Sequence, residues 1–183
     1  MVPRQPLPRR WLMTDERLGD GLFEAIGRLP EGGGIVFRHY RTGARRALFD
    51  RVAESARRRG LLLLLAGSAD EAEAWGADGS HGRGRGAGLR TVPAHDLAEI
   101  RAAEDDGAAA VFLSPVFATR SHPVALPLGA HLFAQLAAST RLPVLALGGM
   151  DEERYATLNG AYGWAGIDAW SSSPSQDGEG DHA

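Results

Sequence analysis

Short apolar runs alternate with amphipathic stretches along most of the chain. Each run is brief and bounded by Gly, Pro or Asp, which predicts a strand, and the stretches between runs carry apolar residues at helical spacing. The predicted strands are residues 11–13, 35–37, 61–66, a weak strand that follows 76–79, then 89–92, 108–113, 142–147 and 164–167. Because 61–66 is apolar throughout, this strand is expected to be covered on both faces, as in a parallel sheet.

Helical periodicity fills most of the intervals between these strands. In the first interval, Leu18, Leu22 and Ile26 follow one another at four-residue spacing, so they lie on one face of a helix. The predicted helices are residues 17–29, 43–59, 69–75, 95–106, 129–140 and 151–159. No helix is predicted at 82–88, because this interval is rich in glycine and is typical of a loop.

The strand count indicates the fold class. Alternating strands and helices predict an α/β protein with a parallel sheet, and about eight strands close a (β/α)8 TIM barrel. The barrel is predicted over 11–170, after an N-terminal extension at 1–10 and before a disordered, low-complexity tail at 171–183. Loss of the fourth helix and replacement of the eighth by the tail account for a chain shorter than the ~250 residues typical of this fold. An open doubly wound sheet is the alternative, although no Gly-x-Gly-x-x-Gly follows the first strand.

Two residue types are absent from the composition. All 20 residues in the combined count of lysine and arginine are arginine, and cysteine is absent. The sequence therefore excludes disulfides, cysteine metal sites, thiolate nucleophiles and Schiff-base lysines. A formal net charge of −3 with both signs mixed along the chain predicts no nucleic-acid partner. The longest apolar run is far below the ~20 residues of a membrane helix and no signal peptide is evident, so we expect a cytoplasmic protein with no membrane partner.

Glycines mark the ends of the last two predicted strands. Functional residues of a barrel lie at the carboxyl ends of its strands. Gly148 and Gly149 follow the seventh strand directly before a helix, and Gly163 and Gly166 flank the eighth. Glycines at such positions let backbone N–H groups approach an anion, which predicts a phosphate site, with an ordinary turn before a helix as the alternative.

The segment after the sixth strand offers a second set of anion-binding groups. Thr119, Arg120, Ser121 and His122 place two hydroxyls, a guanidinium and an imidazole within four residues. Such groups bind phosphate through charge-assisted hydrogen bonds.

These strand ends follow a recognisable order. The segments concerned are 12–15 (LMTD), 36–38 (VFR), 76–82 (GADGSHG), 114–119 (SPVFAT), 128–129 (LG), 143–150 (PVLALGGM) and 163–167 (GWAGI). In their residues and in their order along the chain, these segments resemble the thiamine phosphate synthase and thiazole tautomerase family of (β/α)8 barrels. The resemblance extends over about residues 11–168 and spans nearly every strand end.

The resemblance implies a synthase that joins hydroxymethylpyrimidine diphosphate to thiazole phosphate with Mg²⁺, so small phosphorylated heterocycles are the expected partners. In the family, an arginine, two lysines, an Asn-Asp pair after the third strand and an aspartate after the fourth hold the leaving pyrophosphate and the metal. Arg38 matches the arginine, but Tyr40 and His122 stand at the lysine positions and Ala66-Gly67 at the Asn-Asp pair. Metal ligands are therefore not evident, and we expect a pyrophosphate site that has been rebuilt or lost, with weakened activity.

The thiazole-phosphate half of the family's site is better matched, although Asp168 stands where the family has a serine and its charge would repel a phosphate. The residues that the resemblance assigns to the site fall into three groups. The catalytic residues are Arg38 and His122, the phosphate-binding residues are Thr119, Ser121, Gly148, Gly149, Gly166 and Ile167, and the substrate-pocket residues are Thr14, Tyr40, His81, Ser114 and Arg120.

Two other functions stay open from the sequence. A thiazole tautomerase-like isomerase needs a phosphate site and one acid–base group, for which His81 and His122 are candidates. Against it, the chain has Pro115 in the segment where that branch carries a histidine. The other open function is that of a non-catalytic barrel that binds a phosphorylated ligand. The remaining histidines lie on separate elements and predict no metal triad, and the sequence leaves open whether the chain forms a homo-oligomer.

Overall fold

The computed structural model describes residues 6–119 and 126–171. Eight strands alternate with six α-helices over these residues. The strands are β1 (Arg10–Met13), β2 (Gly34–Phe37), β3 (Leu62–Ala66), β4 (Gly79–His81), β5 (Leu89–Ala94), β6 (Ala110–Leu113), β7 (Val144–Leu147) and β8 (Gly163–Gly166). The helices are α1 (Leu22–Arg28), α2 (Arg45–Arg58), α3 (Ala69–Trp75), α4 (Leu97–Asp105), α5 (Gly129–Ala138) and α6 (Glu152–Ala156).

The eight strands form a closed barrel in which each strand is parallel to the next. The barrel closes where β1 pairs with β8, with Arg10 opposite Trp164 and Leu12 opposite Gly166. The backbone N–H of Trp164 also donates to the carbonyl of Arg9, at 2.8 Å. The predicted (β/α)8 fold is confirmed, and the alternative of an open sheet is wrong because no edge of the sheet stays unpaired.

Alternation along the strands builds two apolar layers. Leu64 and Ala66 of β3 belong to a cluster made almost entirely of strand residues, inside the barrel, whereas Leu63 and Leu65 pack outward in the cluster shared with the helices. Each strand therefore buries both of its faces, which is why the third strand reads as a continuous apolar run.

Trp11 fills much of the barrel interior. Its ring meets Phe112 edge to face at 5.4 Å between centroids, and its indole N–H donates to the carbonyl of Pro8 at 2.8 Å. Gly34 stands opposite Trp11 in the neighbouring strand, and a Cβ atom there would overlap the indole ring. The glycine that opens β2 is therefore required by the size of its neighbour.

A loop replaces the fourth helix, as predicted. Residues 82–88 contain no helix, and the guanidinium of the buried Arg90 in β5 hydrogen-bonds to this loop. That group donates to the carbonyls of Gly84, Gly86 and Asp106, the second of these at 3.0 Å. One arginine thus pairs with two backbone carbonyls of the loop and with a third at the end of α4.

After β8 a single 3-10 turn, Asp168–Trp170, takes the place of an eighth helix within the described residues. Trp170 stacks on Trp164 at 5.0 Å, and its indole N–H donates to the carbonyl of Trp11 at 2.9 Å. All but the first residue of the predicted tail lies outside the described residues.

Two predicted helices are wrong in extent. The first does not run unbroken over 17–29: a 3-10 segment, Glu16–Gly21, precedes α1, and Gly19 inside it has φ +47°, which an α-helix does not allow. The predicted helix 151–159 ends at Ala156. Among the described helices, none has the length and apolarity to cross a membrane.

Barrel closure predicts the effect of a small substitution at Gly163. A Cβ atom there would lie closer than 3.0 Å to the backbone of Arg9, which cannot rotate away. We expect Gly163→Ala to lower the free energy of unfolding by about 1–3 kcal/mol, measured by urea denaturation.

Gly43→Ala is the matched control, since no described atom lies within 4 Å of a Cβ atom at that position. It should stay within about 0.5 kcal/mol of the unsubstituted protein. Equal stabilities for the two variants would contradict this account of the β1–β8 junction.

Candidate functional site

A cavity of about 420 Å³ opens at the carboxyl ends of the strands, where the fold class places functional residues. Seven predicted site residues line it: Arg38, Ser114, Thr119, Gly148, Gly149, Gly166 and Ile167. The lining also includes residues to which no role was assigned, among them Arg17, His95, Asp151, Arg154 and Asp168. Thr14, Tyr40 and His81 are not among the lining residues, and Arg120, Ser121 and His122 lie outside the described residues.

Gly148 and Gly149 bring the end of β7 against the segment that follows β6. Both have positive φ, +96° and +61°, and a Cβ atom on Gly148 would lie 2.8 Å from the Cα of Pro115. The backbone N–H of Phe117 donates to the carbonyl of Gly148 at 3.1 Å. The glycines are therefore required by close backbone packing, and this packing places Ser114 and Thr119 beside them in one wall of the cavity.

A row of alternating charges forms another wall. Nη2 of Arg38 lies 3.4 Å from Oδ2 of Asp15, and Nε of Arg17 lies 3.8 Å from Oδ1 of the same carboxylate. Nη2 of Arg17 also lies 3.3 Å from Oδ1 of Asp168. These separations are longer than those of tight bidentate pairs, so both guanidinium groups keep donors for an anionic ligand.

A third guanidinium lines the cavity from α6. Arg154 donates to the carbonyl of Gly149 and lies 5.3 Å from the ring centroid of Phe117. Three arginines therefore converge on the cavity, and they come from the β1–α1 connection, the end of β2 and the first turns of α6.

Thr14 lies at the end of β1 and fixes the backbone at the end of β2. Its hydroxyl oxygen accepts a hydrogen bond from the backbone N–H of Arg38 at 2.9 Å and lies 3.0 Å from Nδ1 of His39. The side chain is fully buried, so it holds the end of β2 in place. Tyr40 points elsewhere: its residue is 61% exposed, and its backbone N–H donates to Oε1 of Glu16 at 2.6 Å.

His81 is buried inside the barrel. Nδ1 lies 2.9 Å from the hydroxyl oxygen of Thr91, and the ring meets Phe112 edge to face at 4.9 Å between centroids. Burial, together with the positive charge of Arg38, lowers the pKa of His81 to about 3. The imidazole is therefore neutral at physiological pH and is not a proton donor there.

An arginine–glutamate pair lies at the end of β3, where the resemblance implies a metal site. Among the described residues no three side chains of His, Asp or Glu come together as metal ligands. Instead, the guanidinium of Arg45 donates to the carbonyls of His39 and Ala66, at 2.6 and 3.1 Å, and to the carboxylate of Glu71 at 2.7 Å. The nearest carboxylate to Gly67 is therefore already paired with a fixed cation.

Among the lining residues that the sequence does not predict are Arg17, His95 and Arg154. Arg17 and Arg154 fall within predicted helices. Periodicity does not show that the helix with Arg17 breaks at Gly19, and it does not show that the helix with Arg154 begins beside the cavity. His95 was assigned no role, although Glu99 four residues later was a usable signal for a hydrogen-bonded pair.

Comparison with known proteins gives consistent matches. A family model described as thiamine monophosphate synthase matches residues 12–170. Among curated proteins, "Putative thiamine-phosphate synthase 2" of Aquifex aeolicus (strain VF5) is 43% identical over 76 residues, which are 40% of this chain and 41% of that protein. The match thus spans less than half the length of this curated relative.

Solved structures match over more of the chain. Thiamine phosphate pyrophosphorylase from Pyrococcus furiosus superposes with a TM-score of 0.69 at 23% identity, covering 91% of this chain and 88% of that one. The thiamine phosphate pyrophosphorylase from Bacteroides thetaiotaomicron gives 0.59 at 16% identity, covering 94% and 89%. At these identities the two likenesses show the fold.

Burial of a neutral His81 predicts a pH dependence of stability. The unfolded chain binds a proton at this histidine below pH ~6.5, whereas the folded chain does so only near pH 3. The folded state binds fewer protons in this window, so stability is lost as the pH falls. Between pH 7 and pH 5, His81 should remove about 2 kcal/mol from the free energy of unfolding.

We expect His81→Gln to lack this contribution, because glutamine does not titrate and can still hydrogen-bond to Thr91. Urea denaturation at the two pH values measures the difference. His131→Gln, at an exposed position on α5, should keep the full dependence. An identical pH dependence in His81→Gln and the unsubstituted protein would show that His81 is not held neutral.

Proposed function

The chain belongs to the thiamine monophosphate synthase family, and from this we propose that it joins hydroxymethylpyrimidine diphosphate to thiazole phosphate. In the proposed reaction, the bond between the pyrimidine methylene carbon and the pyrophosphate oxygen breaks, and its electron pair leaves with pyrophosphate. The lone pair of the thiazole nitrogen then forms the new C–N bond. The observation that carries the proposal is the cavity at the strand ends, lined by both Arg38 and the Thr119 and Gly149 wall.

The wall made by β6, β7 and β8 supports binding of the thiazole phosphate. Thr119 offers a hydroxyl, and Gly148 and Gly149 bring backbone close to the cavity. Asp168 would repel a phosphate, but Arg17 lies 3.3 Å from its carboxylate and offsets the charge. We therefore assign the thiazole phosphate to this side, together with Gly166 and Ile167.

Arg38 supports the departure of pyrophosphate. Charge that develops on a leaving group is stabilised by fixed cations inside a site that excludes water. Arg38 lines the cavity, its backbone is held by the buried Thr14, and its guanidinium is only loosely paired with Asp15. We assign it the role of contacting the leaving pyrophosphate.

Mg²⁺ was expected from the resemblance, but the described residues do not fit it. The carboxylates that the family uses are absent, and Arg45 donates to the oxygen atoms at the end of β3. No step of the proposed reaction is therefore assigned to a metal. Fewer fixed charges around the leaving group imply slow turnover, as the substituted lysine positions also suggest.

A non-catalytic barrel that binds thiazole phosphate is the second candidate. The Arg45–Glu71 pair favours this candidate, because the pair occupies the end of β3 with groups that stabilise the fold.

One measurement distinguishes the synthase from the non-catalytic barrel. Incubating the protein with both substrates, with Mg²⁺ and separately with EDTA, should give thiamine phosphate if the synthase proposal holds. Tight binding of thiazole phosphate with no product over hours would refute the synthase and leave the binding role.

Substitution of Arg38 tests the assignment of the leaving group. Arg38→Met keeps most of the apolar stem and removes the charge, and we expect kcat/KM for thiamine phosphate formation to fall about 100-fold. Affinity for thiazole phosphate alone should change little, because this ligand is assigned to the wall made by β6, β7 and β8.

Arg58→Met is the matched control, because Arg58 is exposed on α2 and, among the described residues, forms an ion pair with Glu54 one turn away. Its kcat/KM should equal that of the unsubstituted protein. A loss in Arg38→Met no larger than in Arg58→Met would exclude Arg38 from the reaction.

A further inference from the structure

A histidine and a glutamate form an oriented pair at the cavity wall, and nothing above gives them a role. His95 directly follows β5 and lines the cavity together with Ser114 and Thr119. Glu99 lies in the first turn of α4. The pair joins the end of a barrel strand to the start of the helix that packs behind it.

Glu99 holds His95 through two hydrogen bonds. Both Nδ1 and the backbone N–H of His95 lie 2.8 Å from Oε2 of the carboxylate. The other carboxylate oxygen accepts from Nη2 of Arg83, and Asp96 accepts from the backbone N–H of Glu99 at 2.9 Å. With both of its oxygens engaged, the carboxylate is fixed, and so is the imidazole that it contacts.

Charge on Glu99 determines which ring nitrogen carries the hydrogen. Burial raises the pKa of Glu99, but the hydrogen bonds from His95 and the charge of Arg83 outweigh burial and lower it. An ionised carboxylate only accepts hydrogen bonds. Nδ1 of His95 must therefore be the donor, and a carboxylate partner of this kind fixes both tautomer and ring orientation.

Nε2 is left on the side of the ring away from Glu99. Within the described residues it has no hydrogen-bond partner, while the residue itself lines the cavity. An imidazole nitrogen can share one proton with a phosphate oxygen, and this makes a strong, charge-assisted hydrogen bond.

We propose that Nε2 of His95 binds a phosphate oxygen of the ligand in the cavity, and that Glu99 is the residue that positions it. The ligand's chemical class rests on the proposed function. The three arginines of the lining support the same class, since guanidinium forks bind phosphate oxygens. Two sources share this chemistry, the phosphate of thiazole phosphate and pyrophosphate.

Two measurements on the intact protein test the proposal without turnover. In nitrogen NMR spectra of the histidine rings, assigned with His95→Gln, the free protein should show His95 protonated at Nδ1. Saturation with thiazole phosphate or, separately, inorganic pyrophosphate should shift Nε2 of His95. The ligand that produces the shift identifies the source of the phosphate.

Affinity provides the second measurement. We expect His95→Gln to raise the Kd of that same ligand about tenfold or more, as loss of a charge-assisted hydrogen bond does. His131→Gln, the exposed control on α5, should bind as the unsubstituted protein does.

A double-mutant cycle separates positioning from a merely structural role. Glu99→Gln should raise Kd when His95 is present and have no further effect in the His95→Gln background. A structural role for Glu99 would instead lower thermal stability in both backgrounds and leave Kd unchanged.

The proposal is overturned if Nε2 does not shift with either ligand at saturation, or if His95→Gln binds both as tightly as the unsubstituted protein. Absence of any binding by the unsubstituted protein overturns it as well. These outcomes are distinct from failure of the synthase proposal. Thiamine phosphate formation can be absent while His95 still binds phosphate, and product can form at full rate with His95→Gln.

Discussion

The pairing of β1 with β8 is the constraint on which the arrangement of the site depends. With parallel strands in a closed ring, every carboxyl end lies on the same rim, and residues far apart in the chain face one cavity. Arg38 follows β2 and Gly149 follows β7, yet both line it. The junction leaves little room for adjustment, because Gly163 lies against the backbone of Arg9 and Trp170 hydrogen-bonds across to Trp11. A change at this seam would move the β8 wall relative to the arginines of the β1 and β2 wall.

Arginine is the only long cationic side chain available, and it serves two purposes here. Arg45 and Arg90 each donate to several oxygens at the ends of strands and in a loop, where a lysine ammonium would lack the planar fork. Arg17 and Arg38 instead line the cavity and are loosely paired with Asp15 and, for Arg17, with Asp168 as well. The guanidinium group thus holds loops and strand ends together at some positions and lines the cavity at others.

Much of the fold could be predicted because apolar runs report burial directly. The strand at 61–66 and the glycine-rich gap at 82–88 were both read from local pattern, and both depend on local causes. Directions of side chains at strand ends could not be read in this way. His81, like Arg38, lies at the carboxyl end of a strand, but its side chain points into the barrel and contacts Thr91 and Phe112. Inward and outward positions alternate along a strand, and the apolar pattern does not show which of the two a residue at the strand end occupies.

Charge balance in the cavity bears on what it can do. Arg17 pairs with Asp168, Arg38 with Asp15 and Arg154 with Asp151, so an anionic ligand would share each guanidinium with a carboxylate. Such pairs are partly exposed and contribute little when formed, so breaking them for a phosphate dianion removes little stabilisation. By this argument, the absence of lysine does not by itself prevent the proposed binding of phosphate. The absence of lysine matters instead for the proposed departure of pyrophosphate, when negative charge develops on the leaving group. Guanidinium groups that are already shared with carboxylates stabilise such a charge less than unshared cations would. For the proposed reaction, this charge balance favours holding the phosphorylated ligands over rapid departure of pyrophosphate.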